Sequence, residues 1–434
     1  MDSSEHPTLA RLDLLQRESF GYFVDETNLA NGLVRDKNAP DWPASIAAVG
    51  LALFAYPIAV ERGLISRTAA VAIVLTTLRF FYNSEQGPQA DASGHRGFYY
   101  HFLDMHTGRR ARNCELSTVD SAFLLAGALG AAAYFDAADA HEQEIATLAD
   151  ALYRRADWQW AQNKKDTVTM GWTPERGFLK HRWTGYNEAL LLYVLGLGSP
   201  TFPLPPASYQ AWCASYHWDT SYGIEHLHSS SLFTHQLSHI WIDFRGIQDR
   251  FMRAKGIDYF ENSRRATLVQ QRYAIANPCG FAGYGEHCWG ITASDGPGPA
   301  TLVIDGVKRK FYDYVARGVP CGPDDGTIAP WAVIASLPFA PEIVLPTIAH
   351  FAQTPELCCG YGFRTTFNAT YRTKASSGEW LSRWHFGIDQ GPIILMIENY
   401  LTGMPWRLMR GCSYIVEGLR RAGFDGGWLG EADA

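Results

Sequence analysis

The sequence predicts an all-α chain folded as a toroid of six helical hairpins, with long loops forming the cleft. Apolar residues recur at steps of three and four through about twelve segments, the spacing of helices with one buried face. Connections between those segments alternate between short and long, which suits hairpins arranged around a ring. No Pro/Ser-rich linker and no shift of composition interrupts the 434 residues, so residues 1–434 are expected to form a single domain.

The first helix is expected over Pro7–Asn28, with Leu9, Leu12, Leu15, Phe20 and Phe23 turned inward. NLANGLVRDKNAPDWP then reads as a loop. Pro43 suits a first helical turn, Pro57 should kink the helix it opens, and Gly63 should end it. Ser66 caps a helix through Tyr82. Asn83–Asn113, rich in Gly, His and aromatics, is too long for a plain connector and reads as a functional loop. Helices resume at Ser117–Tyr134, Ala140–Asn163, Tyr186–Leu195 and Pro206–Ala214.

From Ser231 onward, Phe233, Leu237, Ile240, Phe244, Ile247 and Phe251 mark one long buried helix. His235, His239 and Asp243 form a polar row on another face of it. A second helix runs from Asp258 to a stop before Asn277-Pro278, followed by the loop YGEHCWGITASDGPG. VKRKFYDYVARG allows two short strands, and Pro330 and Pro341 each open a short helix. Pro392–Tyr400 and Trp406–Arg421 complete the set.

A hydrophobic fraction of 47% excludes disorder, and a net charge of −7 without a Lys/Arg block disfavours nucleic-acid and membrane partners. The 14 Trp, 21 Tyr and 23 Phe suit a core and also the flat surfaces that sugars pack against. Eight cysteines without CxxC or metal-ligand spacing are expected to be reduced and mostly buried. No basic region followed by an apolar run opens the chain, so a cytoplasmic location is expected, or a periplasmic one if a leader was removed. Dinucleotide-binding, P-loop and serine-hydrolase motifs are lacking. No cofactor or metal is expected, and the oligomeric state is not legible.

Several stretches together resemble one family. They are PASIAAVGLALFAYPIAVERG, GFYYHFLDMHTGRRARNCELSTVDSAFLLAG, WTGYNEALLLYVLGLGSP, residues 231–298, DDGTIAPWAVIASLPFAPE and GIDQGPIILMIENYLTGMPW. The set is similar to the bacterial glucoamylase-like proteins, which include glycoside hydrolase family 144. That resemblance implies an (α/α)6 barrel, and inverting hydrolysis of β-1,2-glucan, either within the chain or with release of sophorose. The cyclisation domain of cyclic β-1,2-glucan synthases looks alike, so a transglycosylase is the rival enzyme. A glycan-binding protein without activity is the rival outside enzymes.

Glycoside hydrolysis needs a protonated carboxyl for the leaving oxygen and a carboxylate to activate water or attack the sugar. Glu188, in WTGYNEALLLY, is the first candidate for the acid, on the strength of the matching motif. A helix start there would lower its pKa, so burial or a second carboxylate must overcome the dipole. Glu115 and Asp120 are the next candidates, although Ser117-x-x-Asp120 also resembles a capping box. Arg96, Tyr99, His101 and Asp104 of the long loop are expected to contact sugar, as are Tyr186 and Asn187 beside Glu188. Trp289 would stack on a pyranose or anchor its loop, with Glu286 nearby, and Asp295 would bind or close an Asx turn. Asp389 is expected to be structural or sugar-binding. In HQLSH, Gln236 stands where a zinc protease carries Glu, so His235 and His239 read as a buried polar network or a subsite wall. Asp324-Asp325-Gly326 is a weak calcium pattern.

Overall fold

The structure is a computed structural model that describes residues 5–372 and 378–430. Its helices are α1 Glu5–Asp25, α2 Ile46–Glu61, α3 Arg67–Asn83, α4 Thr118–Tyr134, α5 Ala140–Arg155, α6 Trp158–Gln162, α7 Leu190–Gly198 and α8 Pro206–Cys213. They continue as α9 Arg250–Lys255, α10 Tyr259–Ala276, α11 Pro330–Ala335, α12 Pro341–Phe351, α13 Gly387–Leu401, α14 Met404–Arg410, α15 Ser413–Ala422 and α16 Gly427–Gly430.

Two helix populations separate by burial. From Ile46 to Ala59 in α2, from Thr118 to Ala131 in α4, and throughout α7, every residue is buried. A helix apolar on all sides must be packed on all sides. These helices therefore form an inner layer: α4 packs on α2 and α7, and α13 packs on α2 and α11. The approach is close because small residues meet at the crossings. A Cβ on Gly127 would lie 1.9 Å from the Gly50 carbonyl oxygen, and one on Gly391 would lie 2.5 Å from the Leu51 Cβ. Outside lie helices with one buried stripe, such as α5 with Ile145, Leu148, Ala149 and Leu152 inward. There α1 covers α13, α3 packs on α5, and α15 packs on α7.

Several elements depart from the expected pattern. The long helix over 233–251 is not formed. Two 3-10 turns, Leu232–His235 and Leu237–Ile240, occupy its start. Buried Gln236 stands between them, its amide donating to the Ala332 carbonyl of α11 (2.5 Å) and to Ser336 Oγ just after that helix (2.7 Å). Leu237, Ile240, Phe244 and Ile247 are still buried, so the hydrophobic pattern marked burial rather than helix. Residues 140–163 split into α5 and α6 where Asp157 caps the second piece. The last expected helix splits into α14 and α15 at Gly411-Cys412. Ser45, rather than Pro43, begins α2, and Pro57 lies inside that helix, where it was expected. Ser66 caps α3, and Pro330 and Pro341 sit in the first turns of α11 and α12, as read from the sequence.

Short strands decorate the helical frame, so the chain is mainly helical rather than all-α. A five-stranded antiparallel sheet joins residues 94–95, 98–100, 116–117, 171–173 and 177–178. The expected pair of strands is a hairpin of Ala300–Ile304 with Val307–Phe311. All eight cysteines are free, but only Cys114 and Cys288 are buried, and Cys279, Cys321 and Cys358 are exposed. Among the described residues, no helix is long and apolar enough to cross a membrane.

Candidate active site

A cavity of about 350 Å³ opens where inner helices begin. Asp120 lies in the first turn of α4, Trp331 in that of α11 and Asp389 in that of α13, while Glu188 just precedes α7. All four line the cavity, together with His101 and Glu115. The volume falls within the range of small-molecule sites.

Sheet pairing brings the first acids together. Tyr100 pairs with Leu116, and the His101 N–H donates to the Glu115 carbonyl at 3.0 Å. The His101 ring therefore faces two acids, with Nδ1 2.9 Å from Glu115 Oε1 and Nε2 3.8 Å from Asp120 Oδ2. Burial disfavours the imidazolium, yet Asp120, the Glu115 hydrogen bond and Asp36 outweigh it and raise the His101 pKa to about 9. Burial would likewise raise Glu115, but the bond to His101 and its charge bring that carboxyl below its ordinary value. Asp120 accepts a hydrogen bond from Ser117 Oγ, which itself accepts from the Asp120 N–H at 3.3 Å. Asp120 thus belongs to the helix cap and to the cavity at once.

Glu188 stands apart electrostatically. Burial, with a further push from the charge of Asp120, raises its pKa to about 7. The expected helix over Tyr186–Leu195 begins later, at Leu190, so Glu188 lies outside the first turn. Ser238 fixes the segment, its Oγ donating to the Glu188 carbonyl and accepting from the Leu191 N–H, both at 3.1 Å. Asn187 Oδ1 accepts from the Ala189 N–H at 3.1 Å, so Asn187 orients the turn and does not line the cavity.

Asp389 was expected ahead of a helix starting at Pro392; the helix starts at Gly387 and carries it inward. Burial, then the charges of Asp36 and Asp295, raise its pKa well above the ordinary carboxylate value. Asp36 joins this end of the fold because its carbonyl accepts from the Gly387 N–H at 2.8 Å. The sequence reading passed over Asp36 and Lys37 as part of a plain loop, and passed over Tyr314 and Trp331. Their only sequence signal was charge or aromaticity, between helices or, for Trp331, in a helix's first turn, which many other residues share.

The other expected sugar contacts are elsewhere. Arg96 is exposed, with Nη1 3.8 Å from Asp157 Oδ2. Tyr99 is buried and donates to the Phe81 carbonyl at 2.8 Å. Asp104 lines a separate cavity of about 220 Å³ and accepts from the backbone N–H groups of His106 and Thr107. Tyr186 is buried and stacks on Tyr259 with centroids 5.7 Å apart. Glu286 is exposed, its carbonyl accepting from Gln271. Trp289 is 0% exposed and donates to Thr347 Oγ1 at 2.9 Å, so no face is free for a sugar. Its loop anchor role prevailed because the indole N–H found a buried partner.

His235 and His239 do not share one network. His235 Nε2 lies 3.1 Å from the Ser229 carbonyl oxygen, His239 Nε2 lies 2.9 Å from Ser263 Oγ, and Asp243 pairs with Arg245 and Arg410. Among the described residues, no group of three or more His, Cys, Asp or Glu is placed to hold a metal ion. Asp324 and Asp325 are taken by Tyr273, Tyr284 and Arg317.

The sequence model of a family described as "Putative glucoamylase" matches residues 180–413. The chain belongs to this family. A solved structure from Bacteroides uniformis, described in the same words, is 32% identical with a TM-score of 0.84, covering 96% of this chain and 98% of its own. The endo-β-1,2-glucanase of Chitinophaga pinensis, solved with sophorotriose and glucose, is 25% identical with a TM-score of 0.85, covering 97% of this chain and 99% of its own. A curated relative from Parabacteroides distasonis is an exo β-1,2-glucooligosaccharide sophorohydrolase acting at the non-reducing end. It is 26% identical over 94% of this chain, which spans 57% of that relative's length.

Proposed function

We propose that the chain is a glycoside hydrolase acting on β-1,2-linked glucans or their oligosaccharides, with inversion at the anomeric carbon. The observation that carries the reading is Glu188, a carboxyl held near pKa 7 in a cavity lined by other acids. A group with that pKa carries its proton at mildly acidic pH and gives it up readily, which suits a general acid. The relatives from Chitinophaga pinensis and Parabacteroides distasonis supply the substrate class.

In the proposed reaction Glu188 protonates the leaving glycosidic oxygen as the bond from the anomeric carbon to it breaks. A water attacks that carbon from the opposite face, and a second carboxylate takes the water's proton. Glu115, Asp120 and Asp389 are the carboxyls within the same cavity, and Glu115 is the one that His101 keeps ionised. No metal enters this scheme.

The proposal also takes residues 1–434 as a single (α/α)6 catalytic barrel. Supporting closure, Ser238 of the second 3-10 turn bonds to the α7 entry, and Gln236 bonds to α11. In this reading α2, α4, α7, the paired turns, α11 and α13 follow one another around an inner ring.

The test is hydrolysis of β-1,2-glucan and its short oligosaccharides, with product anomers followed by NMR. The expected result is sugar release with inverted first product, and a loss in Glu188→Gln of ~10²–10⁴-fold in kcat, the usual share of a general acid. No release by the wild-type chain, or full activity in Glu188→Gln, would overturn it. Cyclic or lengthened products would assign the chain to transglycosylation instead.

A further inference from the structure

One residue lining the cavity stands on a short connection between two strands. Tyr314 sits between the strands Val307–Phe311 and Val315–Ala316, and 61% of its surface is exposed. Among the described residues its hydroxyl has no hydrogen-bond partner, although it lines the same cavity as Asp120, Glu188 and Asp389. Tyrosine offers a flat apolar face and a polar tip, the pairing that a pyranose ring with its hydroxyls matches.

The loop that carries Tyr314 is pinned from beneath. Arg317 and Asp325 are both 0% exposed and form a two-pronged ion pair, Nε to Oδ1 and Nη2 to Oδ2, each 2.8 Å. The remaining guanidinium donors go to backbone carbonyls, those of Ser294 (2.6 Å), Tyr312 (3.0 Å) and Asp313 (3.1 Å). Asp325 Oδ2 also accepts from the Tyr312 N–H at 2.9 Å. The two residues just before Tyr314 are therefore fastened to a buried charge pair. Val315, just after it, is paired with Ser294. Gly296 leaves room for the guanidinium, since a Cβ there would lie 2.0 Å from Arg317 Nη2. Burying an ion pair costs desolvation that its attraction only partly offsets, so such a pair serves geometry more than stability. Here the geometry served is that of an exposed tyrosine over acids.

We propose that Tyr314 is a substrate-contacting residue, its ring covering the sugar bound beside Glu188 and its hydroxyl donating to that sugar, with Arg317 and Asp325 as positioning residues. The inference rests on the glycoside hydrolase reading and adds to it a recognition element that no helix supplies. Desolvation within the cavity, then the charges of Asp389, Asp36, Asp120 and Glu188, hold the phenol's ionisation above its ordinary range. The hydroxyl keeps its proton and can donate it in a hydrogen bond.

The experiment measures kcat and KM of wild type, Tyr314→Phe and Tyr314→Ala on β-1,2-linked glucose oligomers of increasing length. Calorimetry with the same sugars in a Glu188→Gln background reads binding alone. Tyr314 is exposed, so neither substitution should disturb folding. Tyr314→Ala is expected to raise KM and Kd at least ~10-fold, with a smaller fall in kcat. Tyr314→Phe, keeping the ring, should lie between. Arg317→Lys should raise KM in the wild-type chain and change little once Tyr314 is Ala, a coupling that a merely structural role would not give. An active wild type with KM and Kd unaltered by Tyr314→Ala would overturn the inference alone. A wild type that neither cleaves nor binds these sugars would overturn the functional reading and the inference with it.

Discussion

The His101 Nδ1 lies 2.9 Å from Glu115 Oε1, and this contact ties a histidine charge to a cavity acid. The histidine's folded pKa, about 9, exceeds its ordinary value of 6.5. Stability from the charged imidazole is therefore fully present below about 6.5 and is lost as pH rises through about 9. His101→Gln is expected to be less stable than wild type, with the gap widest at mildly acidic pH and shrinking toward pH 9. Urea unfolding at several pH values measures the gap, and a gap that grows with pH would contradict the charge assignment.

Activity should carry the ionisation of Glu188 on its alkaline side. With that carboxyl near pKa 7, kcat/KM should decline as pH passes 7 and the acid loses its proton. Asp120 contributes to the raised value, so removing its charge in Asp120→Asn should move the decline to lower pH. The pH–rate profile of both forms checks this. An unmoved limb would mean that burial alone sets the Glu188 pKa.

The same residues should weaken the fold they sit in. A carboxyl whose folded pKa is raised contributes stability below its ordinary value, and loses it as pH climbs through the raised one. Glu188 passes from 4.5 to about 7, and Asp389 is raised in the same direction. Glu188→Gln and Asp389→Asn should therefore melt higher than wild type above pH 7, by a few °C on the order of a typical function-for-stability exchange. Below the ordinary values, 4.5 for Glu188 and 3.8 for Asp389, the difference should vanish. Thermal melts across that range, read beside activity, test it.

At the crossing of α2 and α4 the prediction is steric. Any side chain at Gly127 meets the Gly50 backbone, with a Cβ 1.9 Å from its carbonyl oxygen. Gly127→Ala is expected to push the helices apart and cost at least ~1–3 kcal/mol, as overpacking does. Denaturant unfolding gives the figure, and an unchanged midpoint would mean the crossing is looser than the distance implies.

Much of the helical frame was legible in the sequence because its signals are local. Ser66 capped the helix it was expected to cap, Pro330 and Pro341 stood in first turns, and the apolar runs of α2, α4 and α7 were buried on every side. The reading went wrong where a distant partner decided the backbone. The stretch from Phe233 to Phe251 has helical spacing, yet Gln236 spends its amide on α11 and the segment turns instead. Trp289 shows the same limit for side chains: an aromatic in a Gly-rich loop suits a sugar face until Thr347, far along the chain, takes its N–H.

The sequence by itself determined much of the helical frame, where several of its helices begin, and, through its family motifs, which carboxyls to place first. Glu188, Glu115, Asp120 and Asp389 were all named from it, and all line one cavity. Only the tertiary structure decided how those acids differ. Local sequence carries charge and periodicity, but a pKa depends on burial and on charges brought near by chain folding. His101 lowers Glu115, Asp120 raises Glu188, and Asp36 raises Asp389, each across a gap in sequence that only packing closes.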